Sequence, residues 1–259
     1  MDIKRKASNQ RWAIFIDIEG FSYFQSDMER YHSVDTLLCG LYLIGNKVFI
    51  ETSERLFVHH IGGDGFLIVS DHPEEDLSRA ISIATVLLRY LLLDGFVGKA
   101  AISTGDWADI SSCWPGFCKL IEKDSPKKVT EMGTFTKPAF HNGSAFSLGD
   151  GTLRSFTVMG TALINTYHLL NKAKGPVLII DPNLKCMIPE GFKIVKNNDK
   201  CILLSWIDLN NDLISTIANS IENKDLLDLD TIRERLENYI KYKSEGVSED
   251  WVKNAKLLL

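Results

Sequence analysis

Short apolar runs alternate along the chain with longer stripes of helical period. "RWAIFIDI" (11–18) has the length and composition of a strand, and "GFSYFQSDMERY", continued by "SVDTLLCGLYLIGNKVFIET", predicts helix. Within it Leu37, Leu38, Leu41, Ile44 and Val48 recur at the spacing of a core-facing stripe. "RLFVHHI" and "FLIVSD" predict two strands around a glycine-rich turn. Residues 75–92 predict a second helix, with Leu77, Ile81, Ala84, Leu88 and Leu91 on one face, and "GFVGKAAISTG" predicts the next strand. From Asp106 to about Gly151 the periodicity lapses over a stretch too long for an ordinary connection, so it is an insertion. A strand "LRSFTVM", a helix from Gly160 to about Ala173, the strand "PVLIID" and a hairpin ending in "KCILLSWI" follow. Helices occupy the chain beyond Asn210, the last with Leu227, Leu229, Ile232, Leu236 and Ile240 as its stripe.

This order predicts an α+β fold: a ferredoxin-like or palm-type split βαβ antiparallel sheet with helices on one face, a long insertion and C-terminal helices. It also predicts a main domain over 1–208, carrying the insertion at about 106–151, and a helical extension over 209–259. Across the 259 residues, 45% hydrophobic and 24% charged is ordinary for a soluble globule. No apolar run reaches the ~18 residues of a membrane span, and the basic start has no apolar segment behind it, which predicts a cytoplasmic protein. The five cysteines contain no C-x-x-C pair, which argues against a zinc site or a disulfide framework. A net charge of -5 argues against nucleic-acid binding but leaves room for a small anion held by a few lysines.

The candidate chemistry starts at "HHIGGDGFLIV" (59–69). Taken alone, Gly63, Asp64 and Gly65 suit the positive φ of a type I′ hairpin turn. Asp17, closing the first strand, changes the reading. In a split βαβ sheet that strand lies beside the hairpin, so Asp17 and Asp64 can share a cation. Oxygen-only ligands suit Mg²⁺ or Mn²⁺, which keep waters and substrate phosphates in their remaining positions. The following "EGFS" leads into the predicted helix, where the N–H groups of Gly20, Phe21 and Ser22 would meet a triphosphate.

Over roughly residues 11–206 these segments, with "GKAAISTG" and "MGTALINTYHLLNKAKGPVLIID", resemble the class III nucleotidyl cyclases. The resemblance implies two divalent ions, Mn²⁺ or Mg²⁺, on Asp17, Asp64 and the Ile18 carbonyl. It implies that Lys99 serves the triphosphate, and that Asn165 and His168 act from the second subunit of a homodimer whose sites lie at the interface. The family's asparagine and arginine positions hold Ile164 and His168, with Asn165 displaced by one. The base-reading positions align with His60 and Thr157, which match neither purine pairing. The pattern is most similar to the standalone pyrimidine cyclases of bacterial antiphage systems. That similarity implies conversion of UTP to cyclic UMP, with CTP to cyclic CMP second, as a messenger for a separate effector protein. Three alternatives stay open: a purine cyclase, a diguanylate cyclase of GGDEF type, whose glutamate position is Gly65, and a non-catalytic nucleotide-binding or dimerisation module.

Overall fold

The structure, a computed structural model, describes residues 10–49, 55–109, 145–148, 151–154, 158–243 and 247–259. It divides into two compact units, one made of residues 1–106 and 161–259, the other of 107–160.

The first unit is built on strands β1 (Arg11–Ile18), β2 (Leu56–His60), β3 (Phe66–Ser70) and β4 (Gly98–Gly105), with helices α1 (Asp27–Leu43) and α2 (Ser78–Leu93) between them. β1 lies between β3 and β4 and is antiparallel to both, while β2 pairs with β3 at the edge. That is the predicted split βαβ arrangement. β4 then pairs in parallel with β9 (Leu178–Ile180), and an antiparallel hairpin of β10 (Ile194–Asn197) and β11 (Ile202–Leu204) completes a seven-stranded sheet. Alternation along β1 sorts its residues: Trp12, Ile14, Ile16 and Ile18 join the main core with α2, while Ala13, Phe15 and Asp17 take the opposite face.

Helix α3 (Thr161–Leu170) departs from the expected one-sided arrangement. Its Tyr167 ring stands edge-on to Phe15, 5.6 Å away, so it covers the second face, where apolar Phe15 and Ala101 would otherwise meet water. Helices α4 (Asp212–Ser220), α5 (Leu229–Lys243) and α6 (Glu249–Lys256) belong to the same unit as the sheet. They explain why α2 is buried nearly all round rather than along the predicted stripe alone: Ile214, Ile217, Leu226, Ile232 and Leu236 join the α2 core. Arg89 of α2 is fully buried, its guanidinium donating to the carbonyls of Trp206, Ile207, Leu209 and Leu226.

Two local expectations need correction. The helix expected from residue 20 begins at Asp27, because Gly20 adopts a left-handed conformation (φ 80°), residues Phe21–Tyr23 make one 3₁₀ turn, and Ser26 caps the helix by accepting from the Glu29 N–H. Leu38, placed in the core stripe, is exposed; Leu37, Leu41 and Ile44 already fill the inner face, and the helix closes in a π turn over Ile44–Val48.

The second unit contains two short antiparallel ladders, β5 (Ala108–Asp109) with β8 (Val158–Met159) and β6 (Ala145–Leu148) with β7 (Gly151–Arg154).

Candidate active site

Asp17 and Lys99 are direct cross-strand partners in the β1–β4 ladder and point to the same face. Lys99 Nζ lies 3.2 Å from Asp17 Oδ2 and 3.0 Å from Glu19 Oε1. Asp64 arrives from the β2–β3 turn, its carboxyl within hydrogen-bonding reach of Asp17 and of the Ile18 N–H. The turn is tight because Gly62 and Gly63 take positive φ (78° and 57°) and Gly65 N–H closes onto the Gly62 carbonyl at 3.2 Å. Of the three positions expected to take positive φ only Gly63 does, joined by Gly62, so Asp64 is not strained. Gly65 is small for another reason: a Cβ there would lie 3.0 Å from the Phe15 ring. A glutamate at that position, as the GGDEF-type alternative requires, meets this ring.

These side chains stand in an open cleft of about 1110 Å³. Its walls include Gly20, Phe21 and Ser22, which open a 3₁₀ turn rather than an α-helix; the Tyr23 and Phe24 N–H groups donate to the Gly20 and Phe21 carbonyls. The C-terminal helices supply the other wall, with Tyr239, Tyr242, Ser248 and Trp251. Trp251 stacks on Tyr239 at 6.1 Å, and its indole N–H donates to Glu19 Oε2 at 2.9 Å. Glu19 is thus gripped between the Lys99 ammonium and the Trp251 indole. Sequence reasoning passed over it, though strand alternation puts residue 19 on the side of residue 17.

Burial, and then the charge of Asp17, push the Asp64 carboxyl up from 3.8 to about 7. Burial opposes the Lys99 charge, but Glu19 and then Asp17 outweigh it, so Lys99 sits above the usual lysine range. One ammonium does not satisfy three carboxylates. Among the described residues no group of three or more His, Cys, Asp or Glu side chains forms a metal cage. The Asp17–Asp64 pair nevertheless fits Mg²⁺ or Mn²⁺, which are commonly held by one or two carboxylates completed by substrate phosphates. What supports this fit is the approach of the two carboxyls to hydrogen-bonding distance at the cleft, where the Asp17 charge adds to burial in raising Asp64.

The sign of the pH effect follows. Between 3.8 and about 7 the folded protein retains a proton on Asp64 that the unfolded chain releases, so stability falls as pH rises through that window. In chelator, Asp64→Asn is expected to melt at the wild-type temperature at pH 4. At pH 8 it should be more stable by about 1–2 kcal/mol after solvent screening, or some 2–6 °C. An equal difference at both pH values in thermal melts would contradict the pairing.

The other expected site residues lie apart from the cleft. His60 Nε2 is 2.8 Å from the Gly63 carbonyl, and its ring stacks on Phe66 at 4.6 Å, so it braces its own turn. Asn165 donates to the Thr104 carbonyl at 3.0 Å and His168 lies against Tyr167, both on the exposed side of α3. Thr157 lies outside the described residues. Among those residues no helix is long and apolar enough to cross a membrane.

No protein-family model matches the chain, and no curated protein does. Among solved structures, the chain is similar to one titled "Crystal structure of the guanylyl cyclase Cya2", at 12% identity and a TM-score of 0.43, covering 77% of this chain and 92% of that one. At that distance the similarity says nothing of a substrate.

Proposed function

We propose that the chain is a metal-dependent nucleotidyl cyclase that converts a nucleoside triphosphate to its 3′,5′-cyclic nucleotide and pyrophosphate. The observation that carries this reading is the Asp17–Asp64 pair, one carboxylate closing β1 and the other on the β2–β3 turn, within hydrogen-bonding reach of each other, with burial and then the Asp17 charge raising Asp64 to about 7. They stand in a cleft large enough for a nucleotide. The motif order around them, on a split βαβ sheet, is that of the class III cyclases.

In this reaction the ribose 3′-hydroxyl attacks the α-phosphorus of the same molecule. The new 3′-O–P bond forms as the bond to the β-phosphate oxygen breaks, and the hydroxyl proton is lost. Nucleophile and electrophile are already tethered, so the protein must mainly impose an in-line geometry. Asp17 and Asp64 would hold two divalent ions with the Ile18 backbone beside them. When bound, the ions supply a lowered hydroxyl pKa and neutralise the departing phosphate oxygens. Lys99 keeps its positive charge at the cleft floor, where an incoming phosphate competes with Glu19 for it. Gly20, Phe21 and Ser22 line the path of the triphosphate. Asn165 and His168 do not line this cleft, so in this reading a second copy brings them, as in a homodimer with shared sites.

The base assigned is uracil, with cytosine second. The support is the lack of either purine pairing at His60 and Thr157. His60 meets the Gly63 carbonyl through Nε2, which leaves its Nδ1, with Thr157, to read the base in this reading. The cyclic nucleotide would act on a separate effector, in antiphage signalling by the same resemblance. The test is incubation of the purified chain with ATP, GTP, CTP and UTP in Mn²⁺ and identification of products by mass. Cyclic UMP is expected foremost and cyclic CMP next. Purine products in equal or larger amount would overturn the base assignment alone; no cyclic product from any of the four would overturn the cyclase reading.

A further inference from the structure

Glu19 lines the cleft, yet no step of the reaction described above calls on it. Its place is fixed from three directions. The backbone N–H donates to the Val97 carbonyl at 2.8 Å, Oε1 meets the Lys99 ammonium at 3.0 Å, and Oε2 accepts from the Trp251 indole at 2.9 Å. With its side chain only 11% exposed, the carboxylate has little water to turn to if a partner leaves.

The indole is a fixed donor. Trp251 is buried, its ring stacks on Tyr239, and its backbone N–H donates to the Ser248 hydroxyl at 3.3 Å. Helix α6 is packed closely on the turn after α3: a Cβ at Gly175 would lie 2.9 Å from the Trp251 carbonyl oxygen, and the Asn254 side chain donates to the Lys174 carbonyl at 2.8 Å. An indole N–H donates but carries no charge, so it holds Glu19 in place without replacing the charge that Lys99 supplies.

Moving Lys99 from Glu19 to a phosphate leaves a nearly buried carboxylate without its cation, and breaking a buried pair in this way is costly. A fixed N–H on the other carboxylate oxygen reduces that cost, because hydrogen bonds to an ionised acceptor are the strong ones. We propose that Glu19 and Trp251 are positioning residues that set how readily Lys99 passes to a phosphate chain. Glu19 holds the ammonium while the cleft is empty, and Trp251 steadies Glu19 once the ammonium has moved. This role rests on the reading of the cleft as a triphosphate site, and it gives the C-terminal helices a part in substrate affinity.

The test titrates the full chain with the magnesium complex of tripolyphosphate by calorimetry. Trp251→Phe keeps a ring against Tyr239 but removes the donor, and should weaken binding about tenfold. Glu19→Gln leaves no charge stranded and should tighten binding by about the same factor. Added to Glu19→Gln, Trp251→Phe should change binding by less than about twofold, because the tryptophan acts through the Glu19 charge. In the wild type the Trp251 indole N–H resonance, assigned by its loss in Trp251→Phe, should shift as the probe saturates. For the nucleotide cyclised best, KM should follow the binding changes while kcat stays within about twofold. No binding, equal binding in wild type and Trp251→Phe, or a Trp251→Phe effect undiminished in the Glu19→Gln background would each overturn the proposal, the last in favour of α6 packing alone. Should Trp251→Phe fail to fold, Glu19→Gln decides: binding no tighter than wild type overturns the role. Binding that moves as expected in a chain that cyclises none of the four nucleotides would overturn the cyclase reading and leave this role standing. Cyclisation with a KM blind to both residues would overturn this role alone.

Discussion

Asp17→Ala and Asp64→Ala are each expected to lower cyclic-nucleotide formation by about 10³-fold or more, because each removes half of the carboxylate pair proposed to hold the ions. Neither change touches the core. Asp17 is the cross-strand partner of Lys99, and after its removal Lys99 keeps Glu19 at 3.0 Å. Asp64 sits on a turn whose shape is set by Gly62 and Gly63, not by its side chain. Stability and activity should therefore move apart: Asp64→Ala loses turnover while melting no lower than wild type at pH 8, since it relieves repulsion with Asp17. Turnover and melting curves measured on the same preparations check this. Wild-type turnover in either variant would remove the metal assignment, and a large fall in melting temperature would mean that the lost activity reports a damaged fold.

Much of the central sheet was legible because its information is local. Short apolar runs named β1, β3 and β4, and their order on the chain pointed to the split βαβ arrangement, which brings Asp17 beside the hairpin of Asp64. The helix start differs for a local reason too: Ser26 accepts from the Glu29 N–H and caps α1, which leaves "GFSYFQ" ahead of it. What could not be read was long-range. Trp251 reaches Glu19 across 232 residues, and no periodicity in "EDWVKNAK" distinguishes a tryptophan that donates to a carboxylate from one that only fills a core. Some short-range contacts were equally hard to read: the Gly63 carbonyl lies 2.8 Å from His60 Nε2, a partner that strand alternation does not announce.

Arg89 shows how a residue unremarkable in sequence can hold the cleft wall in place. It stands in the middle of α2, where an arginine ordinarily reaches for solvent, yet it is fully buried and α4 and α5 pack over it. Burial pulls its pKa down to about 10, with Asp208 opposing, so it stays charged at any ordinary pH. The charge is tolerated because carbonyl dipoles surround it. Nη1 donates to Leu226 at 2.9 Å, Nη2 to Trp206 and Ile207 at 2.9 Å each, and Nη2 also to Leu209. These carbonyls belong to the segments that lead from the last strand into α4 and from α4 into α5, so one side chain ties both connections to α2. Arg89→Ala leaves four buried acceptors without donors and opens a cavity, and it is expected to cost about 4–5 kcal/mol. Arg89→Met fills most of the volume but still lacks the donors, and should lose about 2–4 kcal/mol. The difference between the two separates packing from hydrogen bonding. Because α5 and α6 carry Tyr239 and Trp251 to the cleft, the same loss should loosen the Trp251–Glu19 bond, seen as a red shift of tryptophan emission before global unfolding in a urea titration. Arg89→Ala within 1 kcal/mol of wild type would mean that the C-terminal helices are held by apolar contacts alone.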